Sequence, residues 1–475
     1  MSAQLGTAEQ PLRVAIIGSG PSAFYAAEHI QKQSDLVATI DMFERLPTPH
    51  GLVRGGVAPD HPKIKSVTKI YDRIAGKPGF RFFGNVELGK DIHLSDLRRL
   101  YHQIVYAVGA QTDRRMGIPG EDLLGSHPAT EFVGWYNAHP DFRDLSFDLS
   151  QERAAVIGNG NVAMDVARIL ASSHDELAVT DIADYALEAL RNSNIKEIYV
   201  LGRRGPAQAA FTNPEIKELG ALSEADVIVP ADEAALDPLS EAWLEANGDR
   251  SAQNNVKILQ SYADEGPDGK PRRIVMRFLV SPVEIIGTER VEAIKIVKNE
   301  LYQRDDGSLR PRATEVTETL PVGLVFRSIG YRGVALADVP FDDRNGVIPN
   351  QEGRVIDSER DGALTPGEYC VGWIKRGPSG VIGTNKPDSV ETVERMLEDV
   401  AAGQTLTPAA PQPEAVNRLM AERTIDFVSY PDWLLLDAFE QERGEPLNRP
   451  RVKFSTVPEM LDAIRSRREA NPTGD

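Results

Sequence analysis

The chain contains 475 residues, of which 41% are hydrophobic and 26% charged, a balance typical of a folded globular protein rather than a low-complexity chain. Its formal net charge of -18 argues against a general affinity for nucleic-acid phosphates or anionic membrane surfaces. Because residues 1–10 are polar and no long apolar run follows them, we expect a cytoplasmic protein without a membrane span.

Only one cysteine is present, Cys370. It cannot form an internal disulfide or a CxxC redox pair, and it argues against a cysteine-rich zinc or iron–sulfur site. We therefore expect no metal site.

The first predicted unit is a strand, a glycine-rich turn, a helix and a second strand. An apolar run at residues 12–17 leads into the segment Gly-Ser-Gly-Pro-Ser-Ala at 18–23, and residues 24–33 have the periodicity of a helix. A second apolar run at 38–43 ends in Glu44. This order predicts the β-α-β unit of a dinucleotide-binding fold, with an acid at the tip of its second strand.

The small residues of this turn have separate roles. Gly18 permits the turn, Gly20 lets a pyrophosphate approach the backbone, and Ala23 lets the helix pack on the strand. Free amides and the positive end of the helix dipole bind the pyrophosphate. Glu44 can accept hydrogen bonds from a ribose without a phosphate, which fits the adenosine half of FAD or NAD.

The same pattern begins again at residues 153–157. This strand leads into Gly-Asn-Gly-Asn-Val-Ala at 158–163 and a helix, but the next strand, 195–201, is followed by Arg203 and Arg204 and not by an acid. Two guanidinium groups can bind a 2′-phosphate with charge-assisted hydrogen bonds. The second site is therefore predicted to prefer NADP(H) over NAD(H).

The remaining elements are less regular. Segments between residues 275 and 326 predict antiparallel or returning strands, whereas residues 47–65, rich in proline, glycine, histidine and lysine, predict an ordered loop. A strand at 369–371 precedes a glycine-rich loop at 377–383 and a helix from 389 to 402.

The first half contains no other closing helix, so the sequence predicts one domain interrupted by another. We expect residues 11–110 and 326–475 to form an FAD-binding domain and residues 111–325 to form an NADP-binding domain. The polar ends, 1–10 and 467–475, are predicted to be disordered.

Two nucleotide motifs with different ribose chemistry predict an enzyme in which a pyridine nucleotide delivers hydride to a flavin. The cofactor then carries the chemistry, and protein groups orient it and tune its electrostatics. His61 and Glu218 are the polar residues that we expect near the isoalloxazine ring, although a surface histidine and an exposed helix glutamate are equally compatible with the sequence.

The motifs together resemble those of the adrenodoxin reductase-like ferredoxin–NADP reductases, including their actinobacterial members. The resemblance spans nearly the whole chain and is highly specific. It rests on GSGPSA at 18–23, LPTPHGLVRGGVAPDHPKIK at 46–65, GNGNVAMD at 158–165, GRRGPAQAAFT at 202–212, RSIGYRG at 327–333 and VGWIKRGPSGVIGTNK at 371–386.

This resemblance implies an α/β fold with two Rossmann-like dinucleotide-binding domains in a glutathione reductase-like topology, the NADP domain being inserted into the FAD domain. It also implies noncovalent FAD and electron transfer between NADPH and a small iron–sulfur ferredoxin, by hydride transfer to FAD and then two one-electron steps.

The resemblance also implies residue roles, with His61 and Glu218 near the nicotinamide and flavin. The implied FAD contacts are Ser22, Glu44, Leu52, Leu88 by its backbone, Arg114, Trp373, Gly380, Val381 and Ile382. The implied NADP contacts are Asn159, Gly160, Asn161, Val162, Arg203, Arg204, Glu215 and Gly380.

Three alternatives remain open on the sequence alone. A disulfide reductase would use the same two motifs, but Cys370 lacks the partner cysteine that such an enzyme needs. An NADPH-dependent flavin monooxygenase needs no cysteine signature, and a nucleotide-sensing protein would lack a redox-active flavin.

Basic residues follow the first cofactor loop and precede the second. Lys65, Lys69 and Arg73 recur every four residues and would share one face of a helix, with Lys63 nearby, and Lys375 and Arg376 precede the second glycine-rich loop. We expect these residues to attract an acidic ferredoxin.

Overall fold

The computed structural model describes residues 4–357 and 362–470. Its strands are β1 Leu12–Ile17, β2 Ala38–Glu44, β3 Phe80–Gly84, β4 Gln103–Tyr106, β5 Thr112–Asp113, β6 Ser126–Pro128, β7 Arg153–Ile157, β8 Glu197–Leu201, β9 Ala225–Ile228, β10 Arg272–Arg277, β11 Val280–Ile286, β12 Ala293–Gln303, β13 Leu309–Pro321, β14 Leu324–Arg327, β15 Tyr331–Arg332, β16 Asn350–Gln351, β17 Arg354–Asp357 and β18 Ala363–Cys370.

The α-helices are α1 Pro21–Gln31, α2 Leu52–Gly55, α3 Pro62–Lys65, α4 Thr68–Ala75, α5 Leu94–Leu100, α6 Ala129–Tyr136, α7 Asn161–Ala171, α8 His174–Ala178, α9 Asp184–Arg191, α10 Asn213–Gly220, α11 Ala231–Ala234, α12 Pro238–Asn247, α13 Arg250–Glu265, α14 Trp373–Arg376, α15 Asn385–Ala401, α16 Pro413–Glu422, α17 Tyr430–Gly444 and α18 Val457–Ala470. Within the described ranges, no helix has both the length and the apolar character needed to cross a bilayer.

The first sheet has the strand order β16-β17-β18-β4-β1-β2-β3. Its five strands from β18 to β3 pair in parallel, and β1 is buried along its whole length because helices cover both faces of the sheet. The order reverses beside β1, and ligands of open α/β sheets bind at the carboxyl ends of strands at such a point.

The second sheet is parallel throughout and has the order β6-β14-β7-β8-β10-β9. The connection from β7 through α7 to β8 repeats the connection from β1 through α1 to β2. The fold class predicted from the sequence, with two Rossmann-like units and the second inserted into the first, is confirmed.

The chain passes between the two sheets twice, and the short ladder of β5 with β15 joins the two crossings. Phe326 and Arg327 lie in β14, which pairs with β6 and β7 of the second sheet. The predicted boundary at residue 326 therefore falls inside a strand, and the return to the first sheet follows β14.

Other elements also differ from the predictions. The predicted loop at 47–65 contains helices α2 and α3, and β10 is a parallel strand of the second sheet rather than an antiparallel one. Strand β13 was not predicted over most of its length because its residues are largely exposed and polar. The helix after the glycine-rich loop begins at Asn385, four residues before the predicted start.

Parts of both chain ends that were predicted to be disordered are ordered in the described residues. The Gly6 carbonyl accepts a 2.7 Å hydrogen bond from the Val37 amide. At the other end, residues 467–470 complete α18, and the Arg468 guanidinium pairs with Asp432 at 2.5 Å. Residues 1–3 and 471–475 of the predicted ends lie outside the described residues.

Candidate nucleotide-binding and active site

The turn after β1 requires a glycine at its first position. Gly18 has a φ of 99°, and its amide donates a 2.8 Å hydrogen bond to the Phe43 carbonyl of the neighbouring strand. A Cβ atom at this position would lie 2.6 Å from the Ala107 carbonyl oxygen. Both the positive φ and the close approach exclude a side chain here.

Gly20 is different because the space beside it is open. It is the N-cap of α1, no side chain caps the helix, and no heavy atom lies within 4 Å of the place that its Cβ would occupy. Ser22 and Ala23 follow, buried in the first turn. The uncapped amides and the open cradle fit the pyrophosphate of a dinucleotide such as FAD.

Glu44 ends β2 beside this turn. One carboxylate oxygen accepts hydrogen bonds from the Ser19 hydroxyl at 2.7 Å and the Ser19 amide at 3.2 Å, and the other accepts one from the Leu46 amide at 3.1 Å. These bonds fix the carboxylate beside the turn. A carboxylate offers about four acceptor positions, so it can still accept a ribose hydroxyl.

The turn after β7 repeats this geometry. Gly158 has a φ of 125°, and a Cβ there would lie 2.1 Å from the Ser328 carbonyl oxygen. Gly160 is the uncapped N-cap of α7 and again has nothing within 4 Å of its missing Cβ. The second helix start therefore presents the same kind of anion-binding cradle.

The residues between and after these glycines support the cradle. The Asn159 Nδ2 group is buried and has no hydrogen-bond partner among the described residues, so it is a donor available to a bound nucleotide. The Asn161 Oδ1 atom accepts a 2.9 Å hydrogen bond from the Thr212 amide. Val162 packs against the core of the second sheet.

Arg203 and Arg204 follow β8, as predicted, and no ion pair engages either guanidinium in the described ranges. Burial lowers the pKa of Arg204, and the nearby positive charges of Arg203 and Arg310 lower it further. These three guanidinium groups are close to one another and are not paired with carboxylates in the described ranges. Such a cluster favours the binding of a dianion, for example a 2′-phosphate. Arg310 lies on β13, and sequence reasoning missed it because only the folded hairpin brings it near Arg204.

His61 and Glu218 come together although 157 positions separate them. The His61 Nε2 atom lies 2.7 Å from a Glu218 carboxylate oxygen. His61 belongs to the loop after the first fingerprint, and Glu218 lies on α10 of the second unit. The contact therefore joins the two nucleotide-binding units.

Glu215 lies one turn before Glu218 on α10 and is 6% exposed. Its carboxylate accepts a 3.2 Å hydrogen bond from Arg168 and lies 4.0 Å from His61 Nε2. Burial raises the pKa of Glu215 to about 7, and the nearby negative charge of Asp165 adds to the effect. The Glu215 carboxyl therefore keeps its proton to a higher pH than an ordinary glutamate does.

Arg168 is the cation at the centre of this cluster, and sequence reasoning missed it. Its buried guanidinium pairs with Asp60 at 2.6 Å, with Asp165 at 2.7 Å and with Glu215 at 3.2 Å. Its only sequence signal is its position three residues after Asp165 on an otherwise apolar helix.

The oxygen and nitrogen atoms of His61, Glu215 and Glu218 lie within 4.8 Å of one another, a spacing that could also hold a metal ion. The Arg168 guanidinium, however, lies 3.2 Å from Glu215 and 3.6 Å from Glu218. A cation already neutralises these carboxylates, so the arrangement fits a hydrogen-bonded cluster better than a metal centre.

The Glu215→Gln variant is expected to gain thermal stability relative to the wild type as the pH rises from 5 to 8. The native carboxyl keeps its proton up to about pH 7, whereas the unfolded one loses it near its ordinary value of 4.5. Wild-type stability thus falls over this range by about 1 to 3 kcal/mol, and glutamine cannot ionise.

The measurement is the thermal midpoint at both pH values, with the exposed Glu188→Gln variant on α9 as control. Parallel pH profiles for the wild type and Glu215→Gln would contradict the raised pKa of Glu215.

The chain returns to the first site at the loop after β18. The Trp373 indole donates a 3.1 Å hydrogen bond to the Ser379 carbonyl, and its ring lies 5.3 Å from the Tyr331 ring. Gly380 has a φ of 76°, and Gly380 and Val381 are exposed whereas Ile382 is half-buried. The first fingerprint is tied to this segment, because the Ser389 hydroxyl donates a 3.0 Å hydrogen bond to the Ser22 carbonyl.

The other predicted flavin contacts lie in separate elements. Leu52 begins α2 and is 38% exposed. Leu88 is half-buried and forms an isolated bridge with Ile92. Arg114 is exposed, and its amide donates a 3.0 Å hydrogen bond to the Gly330 carbonyl at the junction of the two units.

Cys370 ends β18 and is fully buried. Burial raises the pKa of its thiol well above the usual range, so the reactive thiolate is suppressed at neutral pH. The structure gives this residue a packing role and gives no support to a disulfide reductase mechanism.

Comparisons with known proteins agree with this geometry. Residues 12–200 match the family described as pyridine nucleotide-disulphide oxidoreductase. The chain is 49% identical over 460 residues to NADPH-ferredoxin reductase FprA of Mycobacterium tuberculosis (strain ATCC 25618 / H37Rv), and the alignment covers 95% of this chain and 99% of that protein. The chain belongs to the adrenodoxin reductase-like ferredoxin–NADP reductase family.

More distant and structural relatives extend this result. Mitochondrial NADPH:adrenodoxin oxidoreductase of Arabidopsis thaliana is 38% identical over 464 residues, with 96% of this chain and 95% of that protein covered. The structure of Mycobacterium tuberculosis FprA in complex with NADPH aligns at 47% identity with a TM-score of 0.89, covering 96% of this chain and all of that one. The family resemblance predicted from the motifs is confirmed, and this family member is an oxidoreductase of the flavoprotein class.

Proposed function

We propose that this family member is an NADPH–ferredoxin reductase that uses noncovalent FAD and delivers electrons to a small iron–sulfur ferredoxin. The observation that carries the proposal is the pairing of two open helix N-termini with opposite ribose chemistry, Glu44 beside Gly20 and the arginine pair beside Gly160. The names of the relatives support it, since they are ferredoxin and adrenodoxin reductases.

Residues of the first unit and of the loop after β18 would hold FAD. Gly20 and Ser22 would contact the pyrophosphate, Glu44 would accept hydrogen bonds from the adenosine ribose, and Trp373 would help to enclose the flavin end. The proposed contacts are Gly18, Gly20, Ser22, Ala23, Glu44, Leu52, Leu88, Arg114, Trp373, Gly380, Val381 and Ile382.

Residues of the second unit would hold NADP(H). The start of α7 would bind the pyrophosphate, and Arg203 and Arg204 would bind the 2′-phosphate. The proposed contacts are Asn159, Gly160, Asn161, Val162, Arg203, Arg204, Glu215 and Gly380.

When bound, FAD supplies the conversion of a two-electron hydride donor into two one-electron transfers, which an iron–sulfur centre requires. The contribution of the chain is to position the two nucleotides. The His61 Nε2 atom lies 2.7 Å from the Glu218 Oε2 atom across the junction of the units, and Arg168 pairs with the neighbouring Glu215 carboxylate. These contacts thus hold the facing surfaces of the two nucleotide-binding units together.

The test of the proposal is an absorption spectrum of the purified protein before and after anaerobic addition of NADPH. We expect one FAD per chain, bleaching by NADPH, and ferredoxin-dependent reduction of cytochrome c. Release of FMN on denaturation, or a colourless protein, would contradict the FAD assignment. NADPH oxidation coupled to oxygenation of an organic substrate would support the alternative, a flavin monooxygenase.

We propose that the ferredoxin partner is acidic, because exposed cations without ion pairs follow the first cofactor loop, and that the protein works in the cytoplasm. Fractionation of the native cells tests the location.

A further inference from the structure

The exposed side of helices α3 and α4 combines free positive charge with apolar side chains. This surface, here called the α3–α4 face, consists of Lys63, Ile64, Lys69, Ile70 and Arg73. All five are exposed, and the fractions for the two isoleucines, 43% and 36%, are high for such side chains.

The three cations of this face form no ion pair within the described ranges, whereas the nearby Lys65 and Arg168 each pair with a carboxylate. On α4 the buried residues Tyr71, Ile74 and Ala75 point to the core, and Lys69 and Arg73 lie one turn apart on the other side. Only a backbone contact joins them, since the Arg73 Nε group donates to the Lys69 carbonyl at 3.2 Å.

The structure corrects the basic patch predicted from the sequence. Lys65 ends α3, and its ammonium group pairs with Asp181 at 2.6 Å, so it does not share a face with Lys69. Lys375 is buried and pairs with Asp388 at 3.3 Å, and Arg376 hydrogen-bonds to Asn385 at 2.9 Å. These three residues stabilise the fold and are not free for a partner.

The α3–α4 face begins beside the proposed redox site. His61 is the N-cap residue of α3, and Lys63 follows it by two positions. The same His61 contacts Glu218 where the two nucleotide-binding units meet. A protein that covers this face therefore lies next to the place where the nucleotides would exchange electrons.

We propose that the α3–α4 face is the docking surface for the acidic iron–sulfur ferredoxin, an inference that rests on the proposed function. A chain of net charge -18 repels an acidic partner over most of its surface, so a local region of unpaired cations decides where that partner lands. Ile64 and Ile70 supply apolar area for the core of the contact, with the cations at its rim.

The test uses the holoenzyme with an acidic [2Fe–2S] ferredoxin and cytochrome c as the final acceptor. The Lys63→Glu, Lys69→Glu double variant is expected to lose at least about tenfold in kcat/KM for ferredoxin at low ionic strength, because the steering charge is reversed. The wild-type rate should fall as salt is added, because salt screens the attraction between the charges over about 8 Å at 0.15 M. The rate of the double variant should not fall in this way.

The matched control is Lys257→Glu, Arg418→Glu, which changes the net charge equally on exposed residues of α13 and α16. Direct flavin reduction by NADPH should be unchanged in both double variants. Equal ferredoxin kinetics in the two would overturn the docking surface while leaving the proposed function intact. Failure of the wild-type enzyme to reduce ferredoxin at all would overturn the proposed function itself.

A second variant separates packing from charge. Ile64→Ser, Ile70→Ser keeps all the cations, so its ferredoxin kinetics should retain the wild-type salt dependence while KM for ferredoxin rises severalfold. An unchanged KM would show that the partner does not cover these side chains and would overturn the proposed face.

Discussion

The Gly20→Val variant is expected to purify without flavin, and Gly160→Val is expected to keep its flavin but to resist reduction by NADPH. Both glycines have ordinary negative φ values, -78° and -99°, and both lack any neighbour within 4 Å of the new Cβ. The Cβ atom of a side chain is therefore compatible with the protein at either position. The side chain of valine would begin in the space proposed for a pyrophosphate.

Forcing a side chain into an occupied site costs about 1 to 3 kcal/mol or more, so the affinity for each nucleotide should fall about tenfold to a hundredfold or beyond. The measurements are flavin content after purification, and the rate of anaerobic bleaching by NADPH. The two variants serve as controls for each other, because each should spare the other nucleotide.

Gly18 and Gly158 would not serve for this experiment. Both have positive φ values, and a side chain at either would collide with a backbone carbonyl. Substitution there would unfold the turn whether or not a nucleotide binds. If Gly20→Val retained full FAD, or if Gly160→Val were reduced at the wild-type rate, the corresponding cradle would not be a pyrophosphate site.

The sequence predicted well the parts of the fold that local chemistry determines. A buried strand, a glycine turn and a helix are specified within about 20 consecutive residues, so β1 with α1 and β7 with α7 lie within a few residues of their predicted positions. Glu44 and the arginine pair were predicted by the same reasoning, because each lies at the end of the strand that follows a glycine turn and its helix.

Features that depend on distant contacts were not predictable in this way. Arg168 is identified as a central cation only when α7, α10 and the loop before α3 come together around it. Strand β13 carries so many exposed polar residues that only its pairing with β12 identifies it. His61 and Glu218 were expected near the flavin from their positions in the chain and from the family resemblance, but no spacing in the sequence predicts their direct contact.

Loss of either guanidinium after β8 is expected to reduce kcat/KM for NADPH about tenfold or more and to leave the value for NADH nearly unchanged. A hydrogen bond between charged groups contributes about 1.5 to 3 kcal/mol, and NADH has no phosphate for these arginines to bind. The variants are Arg203→Ala and Arg204→Ala, measured with both coenzymes under the same conditions. Arg312→Ala is the matched control, because this exposed arginine of β13 already pairs with Glu300 at 3.3 Å.

The stability of the same variants distinguishes a binding role from a structural one. Burial lowers the pKa of Arg204 most, and the positive charges of Arg203 and Arg310 lower it further, so these charges repel Arg204 in the free protein. Removing Arg204 relieves this repulsion, so the thermal midpoint without nucleotide should stay level or rise while the stabilisation by added NADP+ shrinks. A lower midpoint together with equal losses for NADPH and NADH would mean that the pair supports the fold. Because a bound phosphate dianion would offset the repulsion among these positive charges, added NADP+ should stabilise the wild type more than Arg204→Ala.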